Sequence, residues 1–103
     1  MTEVLVKFDE PISDRVGALY FAQAVGLQRE DGRWEGWLEF TPVSESGPSL
    51  VSGRETTQPN RADLEYWAQG LAVVYLQGAL ARAETPTETM QRARAARQSS
   101  RDA

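Results

Sequence analysis

The segment Arg54-Glu55-Thr56-Thr57-Gln58-Pro59-Asn60-Arg61 gathers more chemistry-bearing groups than any other stretch of this 103-residue chain. Two guanidinium groups, a carboxylate, two hydroxyls and two amides stand immediately ahead of a helical pattern. The free N–H groups and the dipole at a helix start favour an anion. Arg54 and Arg61 would add bidentate contacts to a carboxylate or phosphate. The same groups also have internal uses: Arg54 pairing with a carboxylate of the domain, Thr57 or Asn60 capping the helix, Gln58 satisfying loop backbone. The glycine spacing of a phosphate loop or a dinucleotide fingerprint is absent. Arg54, Glu55, Gln58, Asn60 and Arg61 are therefore the expected ligand- or partner-binding residues of this loop, and no catalytic residue is assigned.

Trp37 is the second candidate. Glu35 and Glu39 flank it on one strand face, an acidic setting suited to a cationic or apolar partner group. If a helix packs across that face, the indole is simply core. Glu35 and Glu39 fail as a catalytic pair, since four residues of strand separate them by about 13 Å, whereas glycosidase carboxylates stand roughly 5–9.5 Å apart. Asp9, Glu10 and Asp14 crowd one turn, but their spacing matches no calcium loop and reads as a solvated acidic turn. Glu55, Asp63, Glu65 and Tyr66 complete the acid/base inventory. Histidine and cysteine are both absent. That removes the usual general base near neutral pH, thiolate catalysis and the usual ligands of transition metals. Neither a metal nor a cofactor is expected.

The elements that must position these groups follow from periodicity and turn chemistry. Glu3–Phe8 reads as a first strand, ended by Asp9-Glu10-Pro11. A second runs from Gly17 or Ala18 to Gln28, and a third from Arg33 to Thr41. Between them, Asp31-Gly32 signals a two-residue hairpin turn. That turn pairs Glu30 with Arg33, Val25 with Leu38 and Gly26 with Trp37. It makes Phe21, Val25, Leu27, Trp34, Leu38 and Phe40 the core face, and sets Trp37 among Ala22, Ala24 and Gly26. Residues 43–49 read as loop, Leu50-Val51 as a short fourth strand, and Ser52 to Asn60 as polar connection.

From Asn60 the apolar period becomes helical: Leu64, Trp67, Ala68, Leu71, Val74 or Tyr75, Ala79. Asn60 is the expected N-cap, with Asp63 in the first turn. Gly70 either divides the stretch into two helices or lies within one. Thr85-Pro86-Thr87-Glu88 matches a capping box, followed by an Ala- and Arg-rich segment whose only large apolar residue is Met90. A short helix of that composition is marginal alone, so residues 85–103 are expected to be a disordered or marginally helical basic tail. Residues 1–84 form the expected single domain.

Charge divides along the same line. Residues 1–85 carry 7 basic against 13 acidic side chains, and residues 86–103 carry 4 against 2. The acidic body repels nucleic acid, leaving only Arg92, Arg94, Arg97 and Arg101 of the tail to contact it. No apolar run approaches the ~18 residues of a membrane span, and Met1-Thr2-Glu3-Val4 lacks the basic start of a secretory signal.

The blocks Gly32-Arg33-Trp34-Glu35-Gly36-Trp37-Leu38-Glu39-Phe40 and Gly53 to Ala68 resemble a group of small bacterial proteins with no assigned activity, over roughly residues 1–84. The resemblance implies a stand-alone bacterial, cytoplasmic domain and carries over no functional residue. The expectation is an α+β fold: a three- to four-stranded antiparallel meander packed by one or two C-terminal helices, with a basic tail. The expected function is a non-catalytic binding or adaptor module for a protein or a small anionic ligand. Two alternatives stand beside it. One is a small carboxylate-dependent hydrolase or isomerase using Glu55 with Arg54 or Arg61. The other is an accessory nucleic-acid contact through the arginine tail. An uncovered sheet edge or Trp37 face would favour a homodimer.

Overall fold

The computed structural model describes residues 1–44 and 47–101, with the side chains of the last helix described to Ala95. Asp102 and Ala103 of the tail, and residues 45 and 46 of the long loop, lie outside the described residues. The chain forms strands β1 (Glu3–Lys7), β2 (Ile12–Ser13), β3 (Leu19–Gln28), β4 (Trp34–Pro42), β5 (Leu50–Val51) and β6 (Thr56–Gln58). Helices α1 (Arg61–Gln69), α2 (Val73–Arg82) and α3 (Pro86–Arg101) follow. This is an α+β fold on one antiparallel sheet.

Six strands make only four rows. β1 and β2 pair with the same side of β3, and β5 and β6 pair with the same side of β4. The rows run in chain order, so the sheet is the expected meander with its two outer rows interrupted. Asp9-Glu10-Pro11 breaks the first, where proline removes a ladder donor. The second is broken at Ser52–Glu55, and its continuation as β6 lies in what reads from sequence as polar connection. Gly70 ends α1, its N–H donating to the carbonyls of Tyr66 and Trp67, so residues 61–82 form two helices.

The hairpin differs from expectation by one residue. Gln28 faces Trp34, Val25 faces Trp37, Ala24 faces Leu38 and Gly26 faces Gly36. Arg29 N–H donates to the Arg33 carbonyl at 2.7 Å, and Gly32 N–H donates to the Arg29 carbonyl at 3.0 Å. Gly32 of this turn has positive φ, at +89°. The loop is thus three residues long, Glu30-Asp31-Gly32, with the glycine in the left-handed position. Asp31 Oδ1 accepts from Arg33 N–H at 3.0 Å. That backbone bond, helped by the charges of Arg29 and Arg33, holds the Asp31 carboxyl below its ordinary value.

A one-residue slip reverses the facing of a partner strand. The covered face therefore holds the even-numbered residues of both long strands: Ala22, Ala24, Leu38 and Phe40 are buried there with Ile12, Ala68, Leu76, Ala79 and Leu80. Gly26 and Gly36 form a paired notch on the same face, filled by α1. A methyl group added at Gly26 would stand 2.5 Å from Leu64 Cδ2. One added at Gly36 would stand 2.8 Å from both Leu64 Cδ1 and Trp67 Cζ3. Leu64 is fully buried, so its side chain has no free space into which to swing.

Gly36→Ala is accordingly expected to destabilise the domain by about 1–3 kcal/mol through overpacking. In a Leu64→Ala background the same substitution should cost less, by a coupling of about 0.5–3 kcal/mol. Urea denaturation of the four proteins of this cycle measures it; additive effects would show that Leu64 does not occupy the notch.

Candidate functional site

The other face of the sheet carries the odd-numbered residues of β3 and β4, and the core cluster formed with the helices takes in none of them. The register arranges that face in transverse rows. Val4, Val25 and Trp37 form one; Lys7, Gln23, Glu39 and Val51 form the next; Leu27, Glu35 and Thr57 lie on the far side of the first. Phe21 and Thr41 follow beyond Gln23 and Glu39. Val4 is 47% exposed and Phe21 45%, Trp37 is half-buried and Val25 fully buried. Val25 lies outside the core cluster formed with the helices, and of its neighbours in this lattice the Trp37 indole is the largest. Trp37 thus faces Val25 on the open side, not Gly26 among the alanines. Gln23 Nε2 donates to Glu39 Oε1 at 2.9 Å, and Glu35 stands 3.8 Å from an Arg29 guanidinium nitrogen.

The break between β5 and β6 falls opposite Trp37. Ser52 N–H donates to the Leu38 carbonyl at 2.9 Å, and Glu55 N–H donates to the Gly36 carbonyl at 2.8 Å. Ser52 Oγ accepts from Leu38 N–H at 3.0 Å, replacing a backbone carbonyl, and donates to the Gly53 carbonyl. Gly53 and Arg54 form the bulged residues between these ties, beside Trp37. Bulges of this kind re-aim a side chain at the edge of a sheet. Arg54 is exposed and makes no hydrogen bond or ion pair among the described residues. The loop residue Arg54 and the strand residue Trp37, separate candidates in sequence, are neighbours in the fold.

Glu55 turns the other way. Its side chain is 8% exposed, and Oε1 accepts from the Tyr75 hydroxyl at 2.5 Å and from Arg82 Nη2 at 2.8 Å. Burial, then the carboxylate beside it, pushes the Tyr75 hydroxyl above its ordinary value. The arrangement keeps the Tyr75 hydroxyl protonated as a donor to Glu55, and it ties the β5–β6 connection to α2. Glu55 therefore takes its cation from Arg82, not from Arg54 or Arg61. Both helix donors lie 20 or more residues beyond Glu55, and no local motif signals them.

The remaining loop groups are engaged within the domain. Gln58 Nε2 donates to Thr56 Oγ1 at 2.7 Å. Asn60 Oδ1 caps α1 by accepting from Asp63 N–H at 2.8 Å. Arg61 pairs with Glu3 at 3.2 Å and with Glu65 at 3.3 Å. Asp14 Oδ1 accepts from the N–H groups of Val16 and Ala18 and shapes its own turn. Tyr66 is exposed on α1. No group of three or more His, Cys, Asp or Glu side chains among the described residues is placed to hold a metal ion, and no described helix is long and apolar enough to cross a membrane. Compared with known proteins, the chain matches no family model, no curated protein and no solved structure.

The Tyr75 hydroxyl gives the fold an alkaline limit. Its proton is held more tightly in the folded state, so its contribution is complete below the unfolded value near 10.0 and is lost as pH rises through the higher folded value. Tyr75→Phe is expected to cost about 1 kcal/mol near neutrality, from the lost bond to a carboxylate. It should also remove part of the stability loss above about pH 10. Denaturant titrations of both proteins across that range test this; parallel pH profiles would dissociate Tyr75 from the alkaline limit.

Proposed function

We propose that this domain is a non-catalytic protein-binding module whose open sheet face receives an acidic, apolar segment of another protein. One observation carries the reading: large apolar residues stand uncovered on the sheet face opposite the one that holds the core. Exposed apolar patches rimmed by polar groups mark interaction surfaces. The charges around the patch favour an acidic occupant. Glu35 and Glu39 already have Arg29 and Gln23, whereas Lys7 and Arg54 have no partner among the described residues. Trp37 supplies a rigid aromatic anchor between them. Of the loop residues, Arg54 contacts the ligand, while Glu55, Gln58, Asn60 and Arg61 hold the loop that presents it. The cysteine-free composition and the resemblance to small bacterial proteins support placing the module in a bacterial cytoplasm.

A photo-crosslinking residue at position 21 tests the reading in cells of the native host. It should give a discrete adduct with another protein, lost in the Lys7→Glu/Arg54→Glu variant. The unfolding free energy of that variant in urea should stay within about 0.5 kcal/mol of the parent, as for surface substitutions. Absence of an adduct from position 21, or the same adduct from position 66 on the helical side, would overturn the assignment.

A further inference from the structure

We infer that the helical side of the domain pairs with a second copy of the chain, each copy seating α3 in a cleft at the start of the other's α2. The cleft, of about 330 Å³, is lined by Phe8, Pro11, Ile12, Leu71, Val73 and Leu76, together with Asp9 and Glu10. Neither carboxylate has a partner among the described residues. The occupant it fits is an apolar side chain beside a cation.

α3 presents that pattern and its own domain does not use it. The origin of the helix is fixed at three points. Glu84 exchanges both backbone hydrogen bonds with Val51, at 2.7 and 2.9 Å. Thr85 and Glu88 close a reciprocal capping box, and Arg92 pairs with Glu84. Beyond these ties no residue from Pro86 to Ala95 is buried, and Met90 is 59% exposed. Arg94 lies one turn past Met90, on the same side of the helix. The capping box is internal to α3, but the Glu84–Val51 bridge and the Arg92–Glu84 pair hold the helix start at the sheet edge, so the cleft assigned to α3 is that of another molecule.

Symmetry supplies the reach. The cleft lies at the N-terminal end of α2, and α3 departs near the C-terminal end, a separation of about 15 Å for a helix of ten residues. A two-fold axis across α2 sets the two copies of that helix antiparallel and brings each α3 beside the other's cleft, closing the assembly as a dimer. The outer side of α2 suits that approach: Val74 is 80% exposed, and Gly78 and Ala81 beside it are small. The acidic body and basic tail attract each other across the same axis.

Sedimentation equilibrium of the full chain at low salt should give a dimer. Asp9→Lys/Glu10→Lys should weaken the dimer at least tenfold, as should Met90→Glu, with urea midpoints close to the parent because all three positions are exposed. Adding Arg94→Glu to the acidic-pair variant should recover part of the lost affinity. A parent chain that sediments as a monomer at every accessible concentration overturns the proposal, as does a dimer indifferent to both variants. Monomeric parent protein that retains labelled polyuridylate in a salt-sensitive manner would assign α3 to nucleic acid instead.

Discussion

The approach of α1 to the sheet is set by two glycines that face each other across the central strand pair. Gly26 and Gly36 leave a notch one side chain deep, and Leu64 fills it with both of its methyl groups. Trp67 closes over Gly36 from the next turn of the same helix. This contact fixes where α1 crosses, and α2 is placed in turn by the short connection through Gly70. A helix normally rides about 10 Å above a sheet, on the side chains of both. Removing two of those side chains at one spot is what pins the helix there instead of letting it slide along Ala22, Ala24 and Leu38.

Filling one face so closely has a consequence for the other. In a sheet of four rows with side chains alternating, half of the strand residues point away from the helices. Were the open face only a solvated surface, alternation would set polar residues at all of those positions. Lys7, Gln23, Glu35, Glu39, Thr41 and Thr57 follow that rule, but Val4, Phe21, Val25, Leu27, Trp37 and Val51 do not. Burial of Val25 accounts for part of the departure, with Trp37 and Val4 beside it in the same row. Phe21 covers nothing in the core cluster and stays exposed, so the open face holds more apolar surface than the domain's own packing uses.

The elements with local signals were legible in the sequence. Asn60 caps α1 through Asp63, and the Thr85 and Glu88 pair caps α3, because a capping bond joins residues three apart and is written into their order. The meander and its helical layer followed from the change of apolar period at Asn60. The register did not follow, because Asp31-Gly32 is compatible with a two-residue turn and with a three-residue one. The choice rests on where Gly32 takes up its left-handed conformation and on the bond Asp31 makes to Arg33. That single residue moved Trp37 from the alanines to Val25 and brought the two glycines together. The Glu55 cluster was hidden for a different reason: its donors come from a helix whose placement depends on the notch.

The polar segment from Arg54 to Arg61 shows how tertiary structure sorts groups that look alike in sequence. Glu55 and Asn60 are committed to α2 and α1, and Arg61 bridges Glu3 of β1 to Glu65 of α1. Each of these ties crosses between elements or ends one, so each holds the loop against the rest of the domain. Arg54 alone among them sits in a bulge, where neither ladder neighbour dictates its direction. Its guanidinium is exposed and has no partner among the described residues, so it keeps the hydration that the other charged groups of the segment exchange for internal contacts. The committed residues on either side hold the backbone that carries it.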